Sequence, residues 1–534
     1  MDQIQKMHDA GFLHRDITPD NFLITKKNVV YMIDLELAYA MGEVHPSPPF
    51  ALGTPGFMSP EQRLRRVPTI KEDIYGLGAL LLSTFTNLPP LKFDVENPDV
   101  LRRAMSFLGV PKQMLHIIQR CLSEDKNERP DLSEINLTIN KLFTSENKNK
   151  SQMLKRTELQ LPSCYDIDHL LHYAFKGLID EDLSDKYILY RKHLNAGLTI
   201  PVQGILYTLA EYGVNSNSQI VHSFFKKDYE DDCSIYQSTL EADLPGLFCG
   251  LAGNALGLYC AFDTGIIPRE DVYPPTADWF RSTAPTLGLA DGISGQALAA
   301  ILILQQGLDP SVESKLKDLI SLMLSHQTAE GSWPLEQLRL ADGSAGVLFS
   351  LIKYYKYRPD EKIKHAIRKG LDALTSAVNK PVPQWRHNQS KEVVDVSLMG
   401  GISGIALIFL YGYELLNEMK YKVTADKMLT EIDEHPNSFD FSLESGLAGV
   451  GVAYTEAARI TGDHKWKTRI SWIYHLLDHM KISNHRGHVS WNMRGLNHQD
   501  ASLLSGNAGI IYFLIRLHTL ICADPAAVQK ITLI

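Results

Sequence analysis

No uninterrupted apolar run in the 534 residues approaches the length of a membrane-spanning helix, and no signal peptide opens the chain. Neither export nor a helical membrane span is therefore expected. Cysteine is scarce: the six (Cys121, Cys164, Cys233, Cys249, Cys260, Cys522) form no C-x-x-C pair and no framework spacing. That excludes a disulfide-stapled secreted scaffold and points to a reducing cytoplasm, with most of these cysteines expected as small buried hydrophobes. Basic tracts are also missing, and 53 lysines and arginines against 62 acids leave a net charge of -9. Nonspecific nucleic-acid binding is thereby set aside. What remains is an ordinary globular composition, 44% hydrophobic and 22% charged, long enough for two or more domains.

The N-terminal region is organised around His14-Arg15-Asp16-Ile17-Thr18-Pro19-Asp20-Asn21. Downstream, in order, come an apolar run ending in Asp34, the stretch Gly53-Thr54-Pro55-Gly56-Phe57-Met58-Ser59-Pro60-Glu61, then Asp73, then Arg129-Pro130. This succession resembles the C-terminal lobe of a protein kinase, whose catalytic loop reads H-R-D-x-x-x-x-N. The resemblance implies that Asp16 accepts the substrate hydroxyl proton, and that Asn21 and Asp34 bind magnesium with a nucleoside triphosphate such as ATP. It also implies structural roles for His14, Arg15, Glu61, Asp73 and Arg129, with Glu61 and Arg129 as a buried bidentate pair and Asp73 anchoring the catalytic-loop backbone. Two positions depart from the pattern. Asp34-Leu35-Glu36 lacks the glycine of D-F-G, and Thr18 stands where serine/threonine kinases usually carry lysine. A glycine-rich phosphate loop, a strand lysine and its glutamate partner are not recognised in these residues. On that resemblance the chain is expected to be N-terminally truncated, with the N-lobe and any lyase region upstream or on a partner chain, and to transfer little phosphate alone.

Residues 1–143 are thus expected as a kinase-like C-lobe, 144–163 as a polar linker and 164–534 as a second domain. That domain repeats a G-x-x-G pair at Gly250/Gly253, Gly292/Gly295, Gly343/Gly346, Gly401/Gly404, Gly446/Gly449 and Gly506/Gly509, with a weaker copy near Gly204. An almost wholly apolar helix is expected after each pair, such as Ile405 to Leu410. Amphipathic helices lie between, such as the one carrying Ile363, Ile367, Leu371 and Leu374. Buried helices alternating with half-buried ones predict a mainly α protein ending in an α/α toroid of about seven hairpins, its glycines at the mouth. Taken alone, the repeat fits a purely structural ring as well as a grafted site.

The stretches Ser442 to Asp463 and Leu503 to Leu514 resemble the LanC family of lanthionine cyclases. Joined to a kinase lobe, they resemble the C-terminal part of a class III lanthipeptide synthetase. The resemblance implies phosphorylation of serine or threonine in a ribosomal precursor peptide, elimination, and addition of cysteine thiols to give lanthionine or labionin rings. Where zinc-bearing members carry cysteine and histidine, this sequence reads Leu398-Met399-Gly400-Gly401, Glu444-Ser445-Gly446 and Asp342-Gly343, so no zinc is expected. Cys249, and the cluster His485, His488 and His498, are decoys without ligand spacing. The single Gln327-Thr328-Ala329-Glu330-Gly331-Ser332-Trp333 stretch does not make a terpene-cyclase-like barrel. The alternative is a non-catalytic scaffold in which a pseudokinase lobe and a toroid only hold a leader peptide.

Overall fold

The computed structural model describes residues 1–42, 51–146, 159–178, 245–263, 280–305, 310–379, 394–438, 440–493, 500–522 and 533–534, together with Leu198, Gly204, Ile205, Tyr207, Thr208, Glu211 and Gly307. In the N-terminal part, helix α1 (Asp2–Asp9) leads into strand β1 (Phe12–Leu13). The hairpin β2 (Phe22–Ile24) and β3 (Val30–Met32) follows, and β4 (Tyr39–Ala40) returns antiparallel to β1. The expected strand before Asp34 is β3. Helices α2 (Pro60–Arg63), α3 (Ile70–Thr86), α4 (Pro98–Phe107), α5 (Lys112–Cys121) and α6 (Leu132–Glu146) complete this lobe.

Helix α3 is its spine. It is wrapped by neighbours, with Ile74, Leu77, Ala79 and Leu82 buried, and it ends at Asn87 in the left-handed region. Against it lies α5, so closely that a side chain on Gly78 would come within 2.3 Å of the Cys121 Cβ. Helix α6 runs to Glu146, into the expected linker; most of that linker falls outside the described residues.

Helix α7 (Cys164–Leu178) opens the second part. Six further helices begin at the glycine repeats: α8 (Leu251–Asp263), α9 (Ile293–Gln305), α11 (Ser344–Tyr357), α13 (Ile402–Leu416), α15 (Leu447–Thr461) and α17 (Asn507–Cys522). Between them run α10 (Val312–Ser325), α12 (Glu361–Val378), α14 (Met419–Thr430) and α16 (His464–Met480). Each repeat helix packs on the next, α8 on α9 and so on to α17, while α10, α12, α14 and α16 pack outside them. The two layers follow from composition. On α13 the first eleven residues are all buried, whereas α12 buries only the stripe Ile363, Ala366, Ile367, Gly370, Leu371, Leu374 and Val378.

The ring closes through its loops. Leu198 N donates to Leu247 O, Leu247 N to Ala290 O, Ala290 N to Ala341 O, Ala341 N to Met399 O, Met399 N to Glu444 O, and Glu444 N to Leu504 O. In five of the repeats the second glycine is required twice over. A Cβ on Gly404 would lie 2.0 Å from Leu398 O and 2.9 Å from the Leu340 Cβ of the preceding repeat. The same pairing joins Gly295 to Leu247, Gly346 to Leu289, Gly449 to Leu398 and Gly509 to Leu443. Gly204 meets Leu503 at 2.8 Å, which brings the weak seventh copy against the last repeat and completes the circle.

Cysteine usage departs from the expectation in one respect. Cys121 and Cys260 are buried and Cys249 is half-buried, but Cys164 on α7 and Cys522 on α17 form a disulfide with Cα atoms 5.7 Å apart. Nothing in the spacing signals a pair 358 residues apart. Cys233 lies outside the described residues. No described helix is long and apolar enough to cross a membrane.

Candidate functional site

In the N-terminal part the residues of the H-R-D-x-x-x-x-N loop are held by α3. The Asp73 carboxylate accepts the backbone N–H groups of His14 at 3.0 Å and Arg15 at 2.8 Å, and lies 2.8 Å from His8 Nε2. Two charge-oriented bonds thereby hold Arg15 at φ 67°, a left-handed conformation that an L residue adopts only when its surroundings fix it. The Arg15 guanidinium reaches back to Glu72 at 3.1 Å. Burial pushes the Glu72 carboxyl up to about 7, with Arg15 opposing the shift. His14 is fully buried, its Nε2 3.1 Å from Ile33 O, which ties the loop to the strand ahead of Asp34.

Asp16 is held from two sides. Its Oδ2 accepts from Asn21 Nδ2 at 2.9 Å, and its Oδ1 accepts both Thr54 N at 3.0 Å and Thr54 Oγ1 at 2.9 Å. Asn21 Nδ2 also donates to the Asp16 carbonyl at 2.8 Å, and Ile33 N donates to Asn21 O at 3.0 Å. Asp34 therefore follows directly from a residue bonded to the catalytic loop. It sits at φ 61° with its carboxylate exposed. Asn21 turns both its amide bonds toward Asp16, and its side-chain oxygen and the Asp34 carboxylate are hard oxygen donors flanking the β2–β3 hairpin, whose ends are joined by the bond from Ile33 N to Asn21 O. That donor chemistry fits a magnesium ion.

Further out, Glu61 and Arg129 form a two-pronged pair at 2.8 and 2.9 Å, both buried. Burial works to raise the Glu61 carboxyl, but the Arg129 guanidinium holds it below its usual range. Arg129 also donates to Lys71 O and Ser123 O, so this pair ties α2, the start of α3 and the loop before α6 together. Thr18 is buried.

At the mouth of the ring, three loops share a device. Asp395, Asp440 and Asp500 each accept the backbone N–H two residues on, from Ser397, Ser442 and Ser502, at 2.8 to 2.9 Å. In two of them the other carboxylate oxygen accepts a second serine hydroxyl at 2.6 Å, Ser445 on Asp440 and Ser505 on Asp500. The shared signal in the sequence is a D-x-S spacing four to six residues ahead of the first glycine of the Gly401, Gly446 and Gly506 pairs. Met399 is buried, whereas Glu444, Ser445 and Ser505 are half-exposed. No group of three or more histidine, cysteine, aspartate or glutamate side chains is arranged to hold a metal among the described residues. His485 and His488 lie in the turn between β5 (Ile482–Ser483) and β6 (Val489–Ser490), while His498 is outside the described residues.

At the far ends of the same helices runs a buried charge network that sequence reasoning missed. Glu456 binds Arg516 at 2.7 Å and Arg459 at 2.8 Å, and Glu414 binds Arg459 and Lys356, each at 2.6 Å. Burial would raise the Glu456 carboxyl, but the two arginines bring it down to about 2.

Comparison with known proteins finds two separate matched regions. The protein kinase domain family model matches residues 1–138, and that of the lanthionine synthetase C-like proteins matches residues 272–380 and 392–533. The chain carries a protein kinase-like segment followed by a LanC-like toroid. Among curated relatives, the serine/threonine-protein kinase AfsK of Streptomyces coelicolor is 30% identical over 139 residues, which is 25% of this chain and 17% of that protein. The probable serine/threonine-protein kinase PknB of Corynebacterium glutamicum is 33% identical over 98 residues, 18% of this chain and 15% of that protein. The chain thus spans less than a fifth of the length of these two kinases. Among solved structures, nisin cyclase overlays with a TM-score of 0.45 at 17% identity, covering 65% of this chain and 98% of that one. That overlay is too loose to add to the ring geometry.

Proposed function

We propose that the protein acts in lanthipeptide biosynthesis, as part of a zinc-free synthetase of the class III type. One observation supports this above the others: Asp16 of an H-R-D-x-x-x-x-N loop, held between Asn21 and Thr54, stands in one chain with a LanC-like ring. Asp16 accepts the proton of a peptide serine or threonine hydroxyl as that oxygen takes up a phosphoryl group. Its two hydrogen-bond partners fix the direction in which the base points. A nucleoside triphosphate is the donor. Asn21 and Asp34 would hold magnesium, which when bound neutralises charge on the phosphates. Asp73 and Glu61–Arg129 keep the loop and its surroundings in place without touching substrate.

Elimination of phosphate leaves a dehydroamino acid, to which a cysteine thiol of the same peptide adds in the ring. Ser445 and Glu444 occupy places that carry ligands in zinc-bearing members, so thiol activation here would rest on the carboxylates and hydroxyls of the mouth. The second reading is a leader-binding scaffold, favoured by Met399 filling one such place with a buried apolar side chain.

The test is phosphate transfer from Mg-ATP to serine- and threonine-rich, cysteine-containing peptides by the native gene product, followed by mass spectrometry. Asp16→Asn should abolish the phosphopeptide while leaving peptide binding intact. Equal transfer by wild type and Asp16→Asn would remove Asp16 from the role given it. Binding without any modification would favour the scaffold.

A further inference from the structure

The kinase-like lobe and the ring meet at residues Leu91 and Lys92, in the short turn Pro90–Lys92 after α3. On the lobe side Leu91 lies under Gly56, two residues from the Thr54 that closes over Asp16. A Cβ on Gly56 would lie 2.9 Å from the Leu91 Cγ and 3.3 Å from its backbone nitrogen. Gly56 is at φ 85°, so both its conformation and its surroundings exclude a side chain. On the ring side, Asn492 Nδ2 donates to Leu91 O at 2.6 Å, and Lys92 Nζ donates to Asn492 O at 2.5 Å. The same ammonium sits 4.4 Å from the centroid of the Phe441 ring, beside Asp440. Asp440 is the carboxylate that holds Ser442 and Ser445 at the mouth.

Two further contacts fix the orientation. Asn437 donates to Thr86 O at 3.3 Å. Phe107, at the end of α4, stacks on Trp472 at 5.0 Å and on His479 at 4.4 Å, both on α16. The lobe is thus seated on the ring through aromatic stacking, a buried cation and reciprocal bonds from side chains to main-chain carbonyls.

We infer that the acceptor face of the lobe and the mouth of the ring form one continuous path for an extended peptide, joined over Leu91–Lys92, so that a single bound peptide lies across both. This rests on the peptide-modifying reading above. The segment that closes on Asp16 packs on Leu91, and the loop that carries Ser445 packs on the next residue, Lys92. Two adjacent residues thus bridge the two faces, and a peptide leaving Asp16 along residues 54–57 is directed toward the Asp440–Ser445 loop. Lys92 is a positioning residue in this arrangement: it keeps the two faces in register and touches neither the phosphoryl acceptor nor the thiol.

The experiment is photo-cross-linking on the full chain. The probe is a synthetic peptide of about 24 residues containing serine and cysteine, long enough to extend to about 80 Å. It carries one photoreactive group beside the serine and another some ten residues away. One peptide per chain, joined at once to residues 53–60 and residues 440–446, is expected. Lys92→Glu should lower the doubly joined fraction about tenfold and leave the link at residues 53–60. Should that variant fail to fold, Asn492→Leu, which removes only the amide on the Leu91 carbonyl, should lower the fraction at least about threefold. Two peptides per chain, each joined to one segment, or a doubly joined fraction indifferent to both substitutions, would overturn the continuous path and leave the peptide-modifying reading standing. Absence of links to either segment would overturn that reading itself, and the path with it.

Discussion

Lys92 offers a quantitative test of how the lobe is seated. Its side chain is 1% exposed, and burial pulls its ammonium from 10.5 down to about 8, with Asp440 resisting the shift. A base depressed in the folded state binds fewer protons there than in the unfolded chain, so folding strengthens as pH rises from about 8 toward 10.5. At 1.36 kcal/mol per unit the full shift corresponds to about 3 kcal/mol, present as a cost at neutral pH and gone above the unfolded value. Between about pH 7 and pH 9.5, roughly 2 kcal/mol of that cost is relieved. Lys92→Met escapes the charge-burial cost at pH 7 but leaves the Asn492 carbonyl without its donor, about 1–3 kcal/mol in the other direction. The two proteins should therefore have similar stability at pH 7, and the wild type should gain about 2 kcal/mol on the variant by pH 9.5. Urea unfolding at the two pH values, followed by circular dichroism, measures the difference directly. Taking the wild type against the variant cancels the tyrosines and arginines that also titrate at high pH. An identical pH slope for the two proteins would show that Lys92 is solvated, and the seated interface would fall with it.

Breaking the Glu61–Arg129 pair by Arg129→Met strands a buried carboxylate and should cost about 3–5 kcal/mol, seen as a lower thermal midpoint for the lobe. Glu61→Gln should cost less, because a neutral amide still accepts from the guanidinium. Gly404→Ala places a methyl group against the Leu398 carbonyl and the Leu340 side chain, and should destabilise the ring by about 3 kcal/mol or more. Gly462→Ala, at a helix end with open space around it, should cost only about 1 kcal/mol in the same unfolding assay. Cys522→Ser should lower stability by about 2–4 kcal/mol under oxidising conditions and by nothing in reductant, because the bond with Cys164 acts by restricting the unfolded chain. Equal loss in both conditions would show that the pair contributes packing only.

The sequence announced what is encoded over short range or by repetition. Asp16 and Asn21 lie five residues apart on one loop, so their spacing is their geometry, and the structure brings them within hydrogen-bond reach. The ring was legible because the glycine pair recurs and each copy carries leucine three residues before its first glycine, the residue that the next repeat's second glycine packs against. Thr54 belongs to the Gly53–Glu61 stretch, yet its bond to Asp16 depends on the chain folding back over 38 residues, which no local pattern records. The Lys92–Asn492 contact joins positions 400 apart, and neither residue type is unusual for a surface turn. The same holds for Cys164 and Cys522, which local spacing assigned to buried hydrophobes. Long-range polar pairs of this kind are set by how two packed units meet, and composition carries no trace of it.

The most direct test of the central claim is the mass spectrum of one peptide. The native gene product would be incubated with Mg-ATP and a serine- and cysteine-containing precursor peptide, then the peptide treated with a thiol-alkylating reagent. Phosphorylation by the kinase-like lobe, elimination by the lyase region of such a synthetase and thiol addition in the LanC-like ring should yield a peptide that has lost water and no longer alkylates, with both changes absent in Asp16→Asn. A peptide that emerges unmodified and fully alkylated, although bound, would contradict the account and leave a protein that only holds its partner.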